Sequence, residues 1–152
     1  EKFGIFTEAE LESRAEILYE TYAKTINIEA LTMIDMARKD ILPAIGKYIK
    51  ELSDTAIAAK SVAPDLELTY EVSTIKKLAG LQDAIAAKIA VLESAVLEVK
   101  EMTDILSQAC AYRDKVFAAM QDLRAAVDQA ETICSAEAWP FPTYGKLLFG
   151  VR

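Results

Sequence analysis

Histidine is missing from this 152-residue chain, and glycine and proline are scarce, with five and four copies. Without an imidazole, Ser-His and Cys-His nucleophile pairs, the Glu-x-x-His di-iron bundle pattern and most zinc sites are excluded. So little Gly and Pro leaves too few turns for an all-β fold of many short strands. It also leaves no phosphate-cradling loop, since Gly46 and Gly80 stand alone within helical pattern and Gly4 precedes a helix cap. Basic charge is in deficit: 17 Lys and Arg face 24 Asp and Glu, for a net charge of −7. Nucleic acid, which needs a basic face, is therefore not an expected partner, and an acidic membrane surface would repel the chain. No apolar run approaches the ~20 residues of a membrane span, and no basic-then-apolar leader opens the sequence, so a soluble, cytoplasmic domain is expected. Its start at Glu1 rather than Met reads as a piece of something larger.

Cysteine is nearly absent as well, with two copies, Cys110 and Cys134. On one straight helix they stand roughly 36 Å apart at ~1.5 Å per residue, far beyond disulfide reach, and read as small buried thiols in a reducing compartment.

What is present is helical pattern. A content of 53% hydrophobic residues in 152 suffices for one sizeable core, and residues 1–152 read as a single helical domain with 137–152 as a docking tail. Thr7 and Glu10 form a capping box, with Phe6 and Leu11 at the positions of a hydrophobic staple, so the first helix starts at Glu8. Its stripe runs through Leu11, Ala15, Leu18, Tyr22, Ile26, Ala30, Met33 and Ile34, and resumes in phase after Pro43 through Ile45, Ile49, Leu52 and Ala56. The spacing predicts one helix over 8–60, kinked but not ended at Pro43, with a hairpin break at 61–65 around Pro64.

A second helix is expected from Leu66 to Val99, capped by Asp65, with its seam at Ile75, Leu78, Ile85, Ile89, Leu92, Val96 and Val99. A phase slip between Val96 and Met102 places a second hairpin turn at 98–103, with Thr103 or Asp104 capping a third helix whose seam is Met102, Ile105, Ala109, Tyr112, Val116, Met120, Leu123, Val127, Ala130 and Cys134. The fold class is all-α: an antiparallel bundle of three long helices with an aromatic, non-helical C-terminal tail. The first helix is the longest, and residues 8–26 are expected to overhang the bundle with Leu11, Leu18 and Tyr22 uncovered.

Candidate functional residues follow from this geometry. Phe3, Phe6, Trp139, Phe141, Tyr144 and Phe149 all lie in the two short ends, and without a basic groove they read as docking groups rather than base-stacking platforms. The interface candidates are Leu11, Leu18, Tyr22, Trp139, Phe141, Tyr144 and Phe149. Glu8, Glu12, Glu16 and Glu20 form an acidic row on the first helix, either a solvated face or a contact for a basic partner or a divalent cation. No catalytic, cofactor-binding or metal-binding residue is assigned.

Three segments resemble the C-terminal region of type III glutamine synthetases: residues 1–11 (Glu1 to Leu11), residues 28–36 (Ile28 to Met36, continuing through Leu42-Pro43-Ala44), and the tail from Trp139 to Val151. The stretch from Tyr112-Arg113-Asp114-Lys115-Val116 to Met120, with Leu123-Arg124, is similar to the family's last helix. The similarity runs in order along the chain and is weakest from Ala56 to Ser107. The resemblance implies a parent that makes glutamine from glutamate, ammonia and ATP with divalent metal such as Mg, in stacked hexameric rings. It implies no catalytic residue here, because the family's catalytic motifs lie in other regions.

Two readings stand. One is a non-catalytic C-terminal helical domain of a type III glutamine synthetase, whose partners are the catalytic domain of its parent and neighbouring subunits, with self-association when isolated. The other is a free-standing helical interaction or ligand-sensing bundle without enzymatic activity.

Overall fold

A computed structural model describes residues 4–142 and 144–150, apart from the side chain of Tyr144. Phe3 and the Tyr144 side chain, both expected to dock, thus lie outside the described residues.

All regular structure among the described residues is helical. Helix α1 spans Glu8–Met36, a π-turn covers Ala37–Ile41, and α2 follows without interruption over Leu42–Val62. The Thr7 cap is formed as expected: its hydroxyl accepts the Glu10 N–H at 3.3 Å while its own N–H donates to the Glu10 carboxylate at 2.8 Å.

Pro43 does not end this helix, and the π-turn is the reason. In a regular helix it would leave the Lys39 carbonyl without a donor and clash with it. Here the Leu42 N–H donates to the Ala37 carbonyl, five residues back, so the register has shifted and Pro43 lies in the first turn of α2. A proline is tolerated there because the first-turn N–H groups need no intrahelical partner.

Helix α3 spans Thr69–Lys100. It begins three residues later than the sequence suggests, and Asp65 does not cap it. Residues 64–65 form the turn itself, closed by the Leu66 N–H on the Ala63 carbonyl at 3.3 Å. The N-cap position falls to Leu68, which makes no side-chain cap bond. Pro-Asp marked a turn rather than a helix start.

The third rod is α4 (Ile105–Ala111), a second π-turn (Tyr112–Phe117) and α5 (Ala118–Ile133). Asp104 caps it, accepting the Ser107 N–H at 2.8 Å. Cys134 stands just past its end with extended backbone, and both cysteines are free thiols.

Cross-links between rods fix their directions. Tyr48 meets Tyr70, the Leu42 carbonyl accepts from Gln82, and Arg38 pairs with Glu93, so α2 and α3 run antiparallel. Gln108 reaches the Val99 carbonyl and Lys115 pairs with Glu98, so α3 and the third rod do likewise. The core between them is centred on Ile45, Leu78, Ile85, Leu92, Val99, Val116 and Leu123, all fully buried. Each π-turn also supplies a cation to α3, Arg38 from the first and Lys115 from the second.

The tail departs from expectation in its last part. After the prolines a short helix, α6, forms over Tyr144–Phe149. No proline interrupts it, and Gly150 follows it where a Cβ would stand 2.4 Å from the Lys146 carbonyl oxygen, a position only glycine fills without strain.

Candidate functional site

Six of the seven interface candidates, all but Tyr144, separate into three places. Leu11, Leu18 and Tyr22 lie on the projecting end of α1 and are 52%, 68% and 38% exposed. They share that end with exposed Ile17 and Tyr19. Cover begins at Ala23 and Ile26, both buried, so the projecting part is residues 8–22, shorter than the expected 8–26. Helix α4 reaches further along α1 than the pattern implied, and the Tyr112 hydroxyl donates to Asn27 Oδ1 at 3.3 Å near this edge.

Local chemistry keeps the projecting end helical without tertiary help. The capping box holds its start, and the Arg14 guanidinium stacks 4.5 Å above the Phe6 ring. The hydrogen bonds from Thr7 hold the Glu10 carboxyl below its ordinary range. The acidic row Glu8, Glu12, Glu16 and Glu20 faces solvent, with Glu20 paired to Lys24 at 2.8 Å. Among the described residues, no three His, Cys, Asp or Glu side chains gather as metal ligands would.

Trp139 and Phe141 form the second place. A turn at Ser135, whose carbonyl accepts from both Ala138 and Trp139, folds the chain back onto the bundle. Trp139 is buried in the core, and Phe141 meets it edge-on at 6.5 Å with planes 75° apart. These two rings dock on their own chain. With α1, both π-turns and α5 they line an open groove of about 620 Å³. Its lining is apolar and rich in methionine, with Met33, Met36 and Met120 beside Phe117. Glu29, Asp128, Glu131 and Arg124 stand among its polar lining residues.

The third place is α6, where Phe149 is 82% exposed next to exposed Leu147 and Leu148. The groove itself was not foreseen. Met33 and Met120 were readable as seam positions, but their meeting with Phe117 and Trp139 depends on which faces of distant segments come together.

A further polar cluster lies near the bundle end holding the 63–68 turn. The Tyr48 and Tyr70 hydroxyls are 3.5 Å apart. That bond, together with burial and the negative charge that Tyr70, Cys134 and Glu51 would place nearby, pushes the Tyr48 phenol up to about 12. Burial raises the Cys134 thiol and the Tyr112 phenol as well. No helix among the described residues is long and apolar enough to cross a membrane.

Residues 1–60 match the family model of the glutamine synthetase C-terminal domain. The chain is 35% identical over 151 residues to a glutamine synthetase of Butyrivibrio fibrisolvens, an alignment covering 99% of this chain and 22% of the relative. It is 28% identical to the type-3 glutamine synthetase of Dictyostelium discoideum, over 96% of this chain and 20% of that protein. It is also 28% identical to a glutamine synthetase of Bacteroides fragilis (strain YCH46), over 95% and 20%. The chain thus spans about a fifth of the length of these relatives.

Proposed function

We propose that this chain, which belongs with the C-terminal domain of the glutamine synthetases, is a non-catalytic helical domain of a type III enzyme that contributes to subunit structure and to contacts between subunits. The parent would be the cytoplasmic ligase that joins ammonia to glutamate using ATP and a divalent metal such as Mg, with that chemistry performed outside the present residues. The observation that carries this reading is the projecting end of α1. It is locally well capped, yet it leaves Leu11, Leu18 and Tyr22 uncovered.

Burying one Leu-sized side chain is worth about 1.5 to 3 kcal/mol, so a catalytic domain or a neighbouring subunit laid on this end would recover several such increments. Isolated from its parent, the chain covers the same stripe by a two-fold antiparallel pairing of first helices. The acidic row stays at the rim of that contact, because burying unpaired carboxylates would cost more than the apolar surface returns.

Two measurements test the reading. Calorimetric titration of the isolated chain with magnesium-ATP and glutamate is expected to give no heat of binding, and a phosphate-release assay no turnover; turnover refutes a non-catalytic role. Substituting Leu11→Asp and Leu18→Asp in the full-length enzyme is expected to loosen assembly while the isolated chain stays helical. An assembly indifferent to both changes removes the subunit-contact role.

A further inference from the structure

The groove beneath Trp139 and the helix that follows it have complementary surfaces. The groove is apolar at Met33, Met36, Phe117 and Met120, with polar lining residues that include three carboxylates, Glu29, Asp128 and Glu131, against one cation, Arg124. That cation is itself engaged by Asp128 at 3.6 Å, so the groove presents a net acidic border. Helix α6 has the opposite character. Leu147, Leu148 and Phe149 are 63%, 74% and 82% exposed. From Ala138 to Gly150 the chain has no acidic residue and one basic residue, Lys146, in a protein whose net charge is −7.

We infer that the groove receives α6 of a second copy of this chain. Flexible methionine side chains suit a groove that must adapt to an incoming segment. Leu147, Leu148 and Phe149 supply apolar anchors, and a segment without acidic residues enters the acidic border without charge repulsion. A second copy is the occupant because of the tether. Phe141 already lines the groove, and only residues 142 and 143 separate it from α6, three Cα steps that span at most about 11 Å. In its own chain α6 leaves from the groove's edge with its apolar side chains in solvent, whereas the α6 of another copy approaches without that constraint. Given reciprocally, the two contacts close a two-fold pair. The contact uses none of residues 8–22, so it stands or falls separately from the α1 interface.

The test starts from the full chain carrying Leu11→Asp and Leu18→Asp, which removes pairing through α1. Trp139 is the sole tryptophan and lines the groove, so its emission reports occupancy. Light scattering is expected to show concentration-dependent dimers, with a parallel change in Trp139 emission. Adding Leu148→Asp and Phe149→Asp, outside the core, should weaken association by about tenfold or more, the scale of losing central apolar anchors. Met36→Glu in the groove should do the same. A mixture of the tail variant with the groove variant should regain association, because one supplies the groove and the other the tail. Circular dichroism checks that each variant is folded, and Thr32→Glu replaces Met36→Glu if the latter is not. A chain that stays monomeric, or one that dimerises regardless of the tail substitutions, overturns the proposal. So does a change in Trp139 emission caused by the tail substitutions in a monomer at every concentration, since the groove would then hold its own α6.

Discussion

Residues 8–22 and the rest of the rod that they begin share one continuous helix but differ in what holds them. The first stretch has a complete capping box, a cation–π contact and the Glu20–Lys24 pair, yet its large apolar side chains lie in solvent. The later stretch has no side-chain cap at either boundary of the π-turn, and it contains a proline. It is nonetheless the half that is buried, through Ile34, Ile41, Ile45, Tyr48 and Leu52. Local signals sustain a helix where packing is missing, and packing sustains a helix where local signals are poor. An end that is stable without tertiary contacts is suited to wait for a partner.

The largest effect that separates the two stretches is truncation of an apolar side chain. Leu123, fully buried against the packed part, should lose about 2 to 5 kcal/mol as Leu123→Ala, from lost transfer energy plus the cavity left behind. Leu18→Ala, at 68% exposed, should stay within about 0.5 kcal/mol when measured by urea unfolding at concentrations that keep copies apart. Equal losses at the two positions would mean that the projecting end is packed in solution, and the contrast would vanish.

Alkaline pH gives a smaller effect confined to the packed part. Tyr48, Tyr112 and Cys134 all hold their protons more tightly in the fold than in the unfolded chain. A raised folded pKa contributes stability that is fully present below the unfolded value and is lost as pH rises through the folded one. The window therefore opens near 9.0 and 10.0, the ordinary thiol and phenol values, and extends to about 12 for Tyr48. Urea midpoints should fall across that window, and Tyr48→Phe, which has no proton to lose, should flatten the decline. A variant that declines as steeply as the parent assigns the alkaline loss to other groups.

The same division explains what could be read from the sequence. Ends marked by side-chain chemistry were legible: Thr7 with Glu10 and Asp104 with Ser107 lie where the capping rules put them. The long stripes and the second hairpin followed from periodicity, and the first hairpin from Pro64. The start of α3 was not legible, because nothing in the side chain of Leu68 caps it, and Asp65 advertised a helix that the turn delayed. Neither π-turn was visible. The register slip before Pro43 leaves the apolar stripe intact, and the one at Tyr112–Phe117 keeps Tyr112 and Val116 buried in the same seam. Of the candidate site, the uncovered leucines followed from helix lengths alone. The groove did not, since Ile28, Phe117 and Trp139 meet only after three rods and a turn have been placed.

The smallest effect is also the sharpest probe of the comparison. Removing an N-cap hydroxyl ordinarily costs about 1 kcal/mol of helix stability. At Thr7 that loss falls on a segment whose opening exposes almost nothing new, because residues 8–22 bury no large side chain. Local opening of such a segment is uncoupled from global unfolding. Thr7→Ala should therefore leave the thermal midpoint of the isolated chain unchanged while amide hydrogen exchange quickens in the first turns of α1. The same substitution in the assembled parent should behave differently, since a partner that orders residues 8–22 couples the cap to the assembly. Midpoint shifts that are equal in the isolated chain and in the parent would show that the projecting end gains nothing from assembly, and the partner surface would have to be sought elsewhere on the bundle.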